Sequence, residues 1–270
     1  LDSWEEVFAL NKLGKINEED WDLSKWESDL GLDLTYAADY ATLILSLISI
    51  GKNPEDVNGQ NLIEKLVDRQ SSDGSFGDQI NETYWSIFAL EKAGADYNKN
   101  KAIQHLISQQ NTDGGFSYSY KGAPSGADTT GAVLLALSPY RDQDGVSECV
   151  ESAINYLHNI QMDNGAFSYD GVATAESTVY AIIGLVANGE DIADNKWQKE
   201  DRTMIDALMD FQLGDGSFSH NKGGSSDPMA TCQALLALSY LVDNYADYVV
   251  TNDENAFEDP DIKPEIRVRV

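Results

Sequence analysis

The sequence is short of positive charge. Its 270 residues carry 18 lysines and arginines against 46 aspartates and glutamates, a formal net charge of −28. A surface of that sign repels phosphate backbones and anionic lipid heads, so no nucleic-acid partner is expected. It has no apolar run of about 18 residues, so no segment is expected to insert into a membrane. Cysteine is nearly absent. Cys149 and Cys232 both fall in apolar helical patterns, which predicts buried free thiols rather than a disulfide. The sequence also lacks a nucleophile with its base, a phosphate-cradling glycine loop and an HExxH helix. Asp142-Gln-Asp144-Gly145 opens like a calcium loop, but Val146, Ser147 and Glu148 do not continue the pattern, and an acidic turn is expected.

Hydrophobic residues make up 42% of the chain, enough for a large core. One phrase recurs: Gln70-Ser-Ser-Asp-Gly-Ser-Phe76, Gln110-Asn-Thr-Asp-Gly-Gly-Phe116, Gln161-Met-Asp-Asn-Gly-Ala-Phe167 and Gln212-Leu-Gly-Asp-Gly-Ser-Phe218. Asp-Gly and Asn-Gly are turn dipeptides, because glycine reaches positive φ without strain. The Gln of each phrase is expected to bind the turn backbone and the neighbouring repeat. A stretch with one apolar face precedes each phrase, marked by Leu62 and Leu66, Ala102 and Leu106, Ile154 and Leu157, and Ile205 and Leu208. A stretch apolar on all sides follows each: Thr83–Leu90, Thr130–Leu137, Thr178–Leu185 and Thr231–Leu238. Two earlier segments, Trp4–Leu10 and Tyr40–Leu47, fit the same frame. The unit recurs about every 40–50 residues, the length of one helical hairpin.

This pattern predicts an all-α fold in which outer amphipathic helices alternate with six inner, fully buried ones. A weaker outer helix is expected around Glu18–Leu30. Such a set closes as a double-walled α/α toroid or spirals as an open solenoid; six inner helices favour closure. The toroid is expected over residues 1–250. Residues 251–270 read as an acidic linker with Pro260 and Pro264, then an alternating Ile266–Val270 strand opening a further, β-rich domain.

The Gln-x-x-Asp-Gly-x-Phe phrase followed by an inner helix resembles the repeat of the squalene cyclase and prenyltransferase superfamily, over Gln70 to Leu238. In class II cyclases the resemblance implies an aspartic acid that protonates a polyprene. The best match is Gly126-Ala-Asp128-Thr129-Thr130, in which Asp128 stands in the acid's place and Gly126 and Thr129 replace its flanking acids. In protein prenyltransferases the resemblance implies zinc held by Asp, Cys and His. Here the corresponding Thr231-Cys232 pair follows Ala230 instead of a histidine, and no metal site is expected. Transcobalamin-like binders share the toroid and add a C-terminal β domain, and the strand after Pro264 resembles that layout.

The inner segments begin with acidic residues: Asp39, Glu82, Asp128, Glu176 and Asp227. They cap helix N-termini, rim one mouth of the barrel, or do both. Tyr36, Tyr40, Tyr84, Trp85 and Tyr180 lie near the same ends, as core packing or as a ligand wall. The resulting expectation is a non-enzymatic binding module of an exported, cell-surface protein. It would hold a corrinoid, another bulky small molecule or a surface macromolecule at a mouth formed by Asp39, Tyr40, Tyr84, Trp85, Asp128, Glu176, Tyr180 and Asp227. Two alternatives stand beside it: a class II cyclase-like enzyme using Asp128, and a structural stalk.

Overall fold

A computed structural model describes residues 3–16 and 34–244. The expected outer helix around Glu18–Leu30, the acidic linker and the C-terminal strand lie outside these residues.

The inner helices are α1 (Trp4–Lys12), α2 (Ala37–Ser49), α4 (Ile80–Ala93), α6 (Ala127–Leu137), α8 (Ala175–Ala187) and α10 (Pro228–Asn244). The outer ones are α3 (Leu62–Val67), α5 (Lys99–Ser108), α7 (Val146–Ile160) and α9 (Met204–Met209). A two-residue hairpin, β1 (Ser168–Tyr169) with β2 (Val172–Ala173), precedes α8. Each inner helix packs on the next, and α10 packs on α1, so the ring is closed. Among the described residues no helix is long and apolar enough to cross a membrane.

Burial explains the two kinds of helix. In α6 every residue but Asp128 is buried, because outer helices cover one side and the lumen the other. In α7 the buried residues Val146, Cys149, Val150, Ala153, Ile154 and Leu157 recur three and four apart, on the face turned to the core. The α6 and α8 backbones touch: a Cβ added to Gly131 would lie 2.0 Å from the Tyr180 carbonyl oxygen.

The recurring phrase is the joint between hairpins. In each copy the Phe amide donates to a threonine hydroxyl of the following inner helix: Phe76 to Thr83 at 3.2 Å, Phe116 to Thr130 at 3.0 Å, Phe167 to Thr178 at 3.1 Å and Phe218 to Thr231 at 2.9 Å. The Gln side chain donates to its own turn and to the next repeat. Gln110 Nε2 lies 2.8 Å from both the Gly114 and Cys149 carbonyls; Gln161 Nε2 lies 3.1 Å from that of Gly165 and 3.0 Å from that of Trp197. The turn glycine is required twice over. Gly114 has φ +91°, and a Cβ there would lie 2.5 Å from the Ser152 carbonyl oxygen of the next outer helix.

Candidate functional site

The inner helices run in the same direction, so their N-termini share one mouth. Direct bonds link those ends: Glu82 accepts from the Ala37 amide at the start of α2, and the Ala175 amide at the start of α8 donates to the His220 carbonyl ahead of α10. The acidic residues at this mouth have distinct partners. Asp39 Oδ2 accepts from the Tyr36 amide at 3.0 Å, and Asp227 Oδ1 from the Ala230 amide at 2.9 Å; both cap their own helices. Glu82 is buried and ties two helices, accepting from Ala37 at 3.0 Å and Gln79 at 3.4 Å. The Glu176 oxygens lie 2.9 and 2.8 Å from Nδ1 of His220.

Asp128 differs. It is half-buried, and its Oδ1 accepts from the next residue's amide, Thr129, at 2.7 Å. A Cβ at Gly126 would lie 2.6 Å from that same oxygen, so the glycine leaves room for this carboxylate position. Three tyrosines feel its charge. Burial raises the Tyr84 and Tyr180 phenols well above their ordinary range, and Asp128 adds to both shifts. Tyr156 is pushed up to about 12 by burial, then by Asp113 and Asp128. Each phenol is therefore a neutral O–H donor at neutral pH.

An aromatic cluster fills the lumen. Trp85 lies edge-on to Trp4 at 4.8 Å and to Tyr84 at 4.9 Å, and stands 6.0 Å from Tyr180 and 6.2 Å from Phe88. The Tyr180 hydroxyl donates to Glu5 Oε1 at 3.2 Å, and Gln233 Nε2 lies 3.4 Å from the same oxygen. The structure thus brings Tyr84, Trp85, Asp128 and Tyr180 together. Tyr40 sits apart, with the Arg69 guanidinium 4.7 Å over its ring, and Tyr36 is 58% exposed on the rim. Glu5 and Tyr156 join the group although sequence reasoning passed over them. The Trp4-Glu5-Glu6 start of the first inner segment was the available signal for Glu5; Tyr156 left none, being one more residue on an outer helix.

The opposite mouth holds a cavity of about 200 Å³ lined by Phe88, Lys92, Leu135, Ala136 and Tyr240 among others. Among the described residues no three His, Cys, Asp or Glu side chains come together to hold a metal. The zinc implied by the prenyltransferase resemblance does not fit: Ala230, which has no donor atom, stands where the histidine would precede Thr231-Cys232.

Comparison with known proteins agrees with this architecture. The chain matches the prenyltransferase alpha-alpha toroid domain family over residues 28–168 and again over 133–257, and belongs to that family. A drimenyl diphosphate synthase of Streptomyces showdoensis is 29% identical over 123 residues, 44% of this chain. That match spans 22% of the synthase, so the chain corresponds to about a fifth of that relative. The protein geranylgeranyltransferase-I of Candida albicans, solved with GGPP, superposes with a TM-score of 0.64 at 13% identity. The superposition covers 90% of this chain and 84% of that one, a likeness of fold.

These relatives correct the functional expectation drawn from the sequence. The domain family and the synthase relative point to isoprenoid enzymes, which overturns the reading as a non-enzymatic binding module. The transcobalamin-like layout finds no support. That reading rested on a tail that lies outside the described residues, whereas the toroid repeat itself is common to all these families.

Proposed function

We propose that this toroid is a domain of an isoprenoid-processing enzyme of the class II cyclase type, with Asp128 as the proton donor. The observation that carries this reading is the position of Asp128: half-buried at the N-terminal mouth, beside Tyr84 and Tyr180 and the aromatic cluster centred on Trp85. The kinship with a drimenyl diphosphate synthase supports it.

The chemistry balances without an oxidant or a cofactor. Protonated Asp128 gives its proton to the terminal alkene of a polyprene, leaving a tertiary carbocation. An internal alkene attacks that cation, forming a carbon–carbon bond and moving the charge along the chain. Loss of a C–H proton to water ends the sequence, and water returns a proton to the Asp128 carboxylate, so the product is an isomer of the substrate. Aromatic faces attract cations, and the rings of Trp85, Tyr84 and Tyr180 are placed to do so near the acid. Because Trp4, Trp85 and Phe88 fill the lumen beyond, the alkene end approaches Asp128 from the N-terminal mouth.

The test is turnover by the purified protein. Polyprenyl diphosphates of increasing length and squalene are incubated with wild type and with Asp128→Asn, and the dephosphorylated products are separated by gas chromatography with mass detection. Cyclic isomers from wild type, and a loss of about a hundredfold or more in the variant, are expected for removal of a general acid. Undiminished turnover by Asp128→Asn, or no isomer from any of these substrates, overturns the assignment.

A further inference from the structure

The geometry points to a second binding site: a cleft at the outer edge of the N-terminal mouth, between the start of α4 and the end of α5, that takes a neutral, hydroxyl-rich ligand of the saccharide class. The cleft measures about 290 Å³ and lies between the first turn phrase, the end of α5 and the loop that follows Phe116. Asp73, Asp78, Gln79, His105, Gln109 and Tyr120 supply its principal groups.

Part of this lining is a fixed frame. Asp73 Oδ1 accepts from the Ser75 amide at 3.1 Å and the Ser75 hydroxyl at 2.8 Å, and its Oδ2 faces His105 Nδ1 at 3.5 Å. Lys121, which also lines the cleft, donates its amine to the Ser108 carbonyl. Gln109 donates to the Ser108 hydroxyl and Ser117 accepts from the Ser119 amide, which leaves two lining groups open to a ligand. The Asp78 carboxylate and the Tyr120 hydroxyl make no hydrogen bond or ion pair among the described residues, and Tyr120 is 71% exposed.

The lining selects by exclusion. Asp73 and Asp78 oppose an anion, and the one lysine is already engaged, so a phosphate or carboxylate ligand has no counter-charge here. Among the described residues Ile80 is the only aliphatic side chain on the wall, too little apolar surface for an isoprenoid tail. Planar carboxylate and amide groups pair with adjacent hydroxyls, and an exposed tyrosine ring offers a flat face to the C–H side of a sugar ring. The volume suits one or two such rings. The site does not depend on the chemistry proposed for Asp128.

Calorimetric titration of the purified protein with cellotriose, chitotriose and maltotriose tests this, with spermidine as a cationic control. At least one trisaccharide is expected to bind saturably. Tyr120→Ala and Asp78→Asn, both at exposed positions, should each weaken that binding by about tenfold with the melting temperature unchanged. Asp128→Asn should bind the saccharide as wild type does, even if it abolishes turnover. Absence of binding by all three trisaccharides, or binding that Tyr120→Ala leaves untouched, overturns the proposal. So does binding of spermidine in their place, which would make the cleft a cation site.

Discussion

Replacing Phe116 with alanine tests whether the recurring turn phrase holds the hairpins together. Phe116 is 0% exposed within the main core. Its amide donates to Thr130 on α6, and its carbonyl accepts from the Gly126 amide at 2.9 Å, just ahead of that helix. The side chain therefore sits where one hairpin passes into the next inner helix, with its backbone held on both sides. Truncating a buried phenylalanine costs about 3–5 kcal/mol, from lost transfer energy and the cavity left behind. Against a total stability of about 5–15 kcal/mol, that is a large fraction. With a urea slope of roughly 3 kcal/mol per molar, suited to a chain above the small-protein range, the midpoint should fall by about 1–1.7 M. Urea unfolding followed by tryptophan fluorescence and by circular dichroism reads this directly. Tyr169→Ala, at a site 63% exposed, is the control and should stay within about 0.5 kcal/mol of wild type. A midpoint shift below about 0.3 M for Phe116→Ala, with the slope unchanged, would show that the phrase is not a structural joint.

Other perturbations follow from the same geometry. Gln110→Ala removes two bonds to backbone carbonyls and should cost about 1–3 kcal/mol in the same urea assay; a neutral result would mean that water replaces the amide. Gly131→Ala drives a Cβ into the Tyr180 carbonyl and should lower the thermal midpoint by several degrees or prevent folding, whereas wild-type melting would disprove the close approach of α6 and α8. Burial pushes the Cys149 thiol up to about 12, so iodoacetamide at pH 8 should leave it unmodified in the native protein and alkylate it in urea, as intact mass will show. Burial alone would raise the Asp210 carboxyl, but Lys222 and Arg202 hold it below the usual range. A carboxyl depressed on folding stabilises above its unfolded pKa and loses that contribution as pH falls through its folded value. The stability gap between wild type and Asp210→Asn should therefore be full at pH 7, begin to shrink only as pH falls below about 4 and vanish at still lower pH; a gap that is the same at pH 7 and at pH 2 contradicts the ion pairs.

The parts of the fold that were legible in the sequence are the local ones. The turn phrase is fixed by Asn or Asp before a positive-φ glycine, and the change from one-sided to all-round apolarity separates outer from inner helices. Closure of the ring was legible only as a count of inner segments. The partners of the acidic residues were not legible, because they come from distant segments: Glu82 caps a helix 45 residues away, and Glu5 meets Tyr180 across 175 residues. Sequence position alone could not separate a carboxylate that caps its own helix from one that reaches another. The functional misreading had a similar cause. It gave weight to the missing acids at Gly126 and Thr129 and to a short alternating tail, whereas the match to the family runs over the repeats, residues 28–168 and 133–257.

Among the acidic residues of the N-terminal mouth, geometry singles out Asp128. Asp39 and Asp227 are spent on their own helix ends, Glu82 on joining α2 to α4, Glu176 on His220, and Glu5 on the Tyr180 hydroxyl and the Gln233 amide. Removing any of these strips a partner from an amide or an imidazole, so its first consequence is structural. Asp128 accepts only from its neighbour Thr129, through the amide at 2.7 Å and the hydroxyl at 3.5 Å, and turns its charge toward three buried phenols, which are raised in part by it. Replacing it with asparagine keeps the shape and an acceptor for the Thr129 amide, and it relieves those phenols of a nearby negative charge. Asp128→Asn should therefore melt at or above the wild-type temperature while losing turnover, whereas Glu176→Gln, which weakens the contact with His220, should melt lower. The opposite result, a destabilised Asp128→Asn and an unaffected Glu176→Gln, would make Asp128 a structural cap and move the search for the proton donor elsewhere on the mouth.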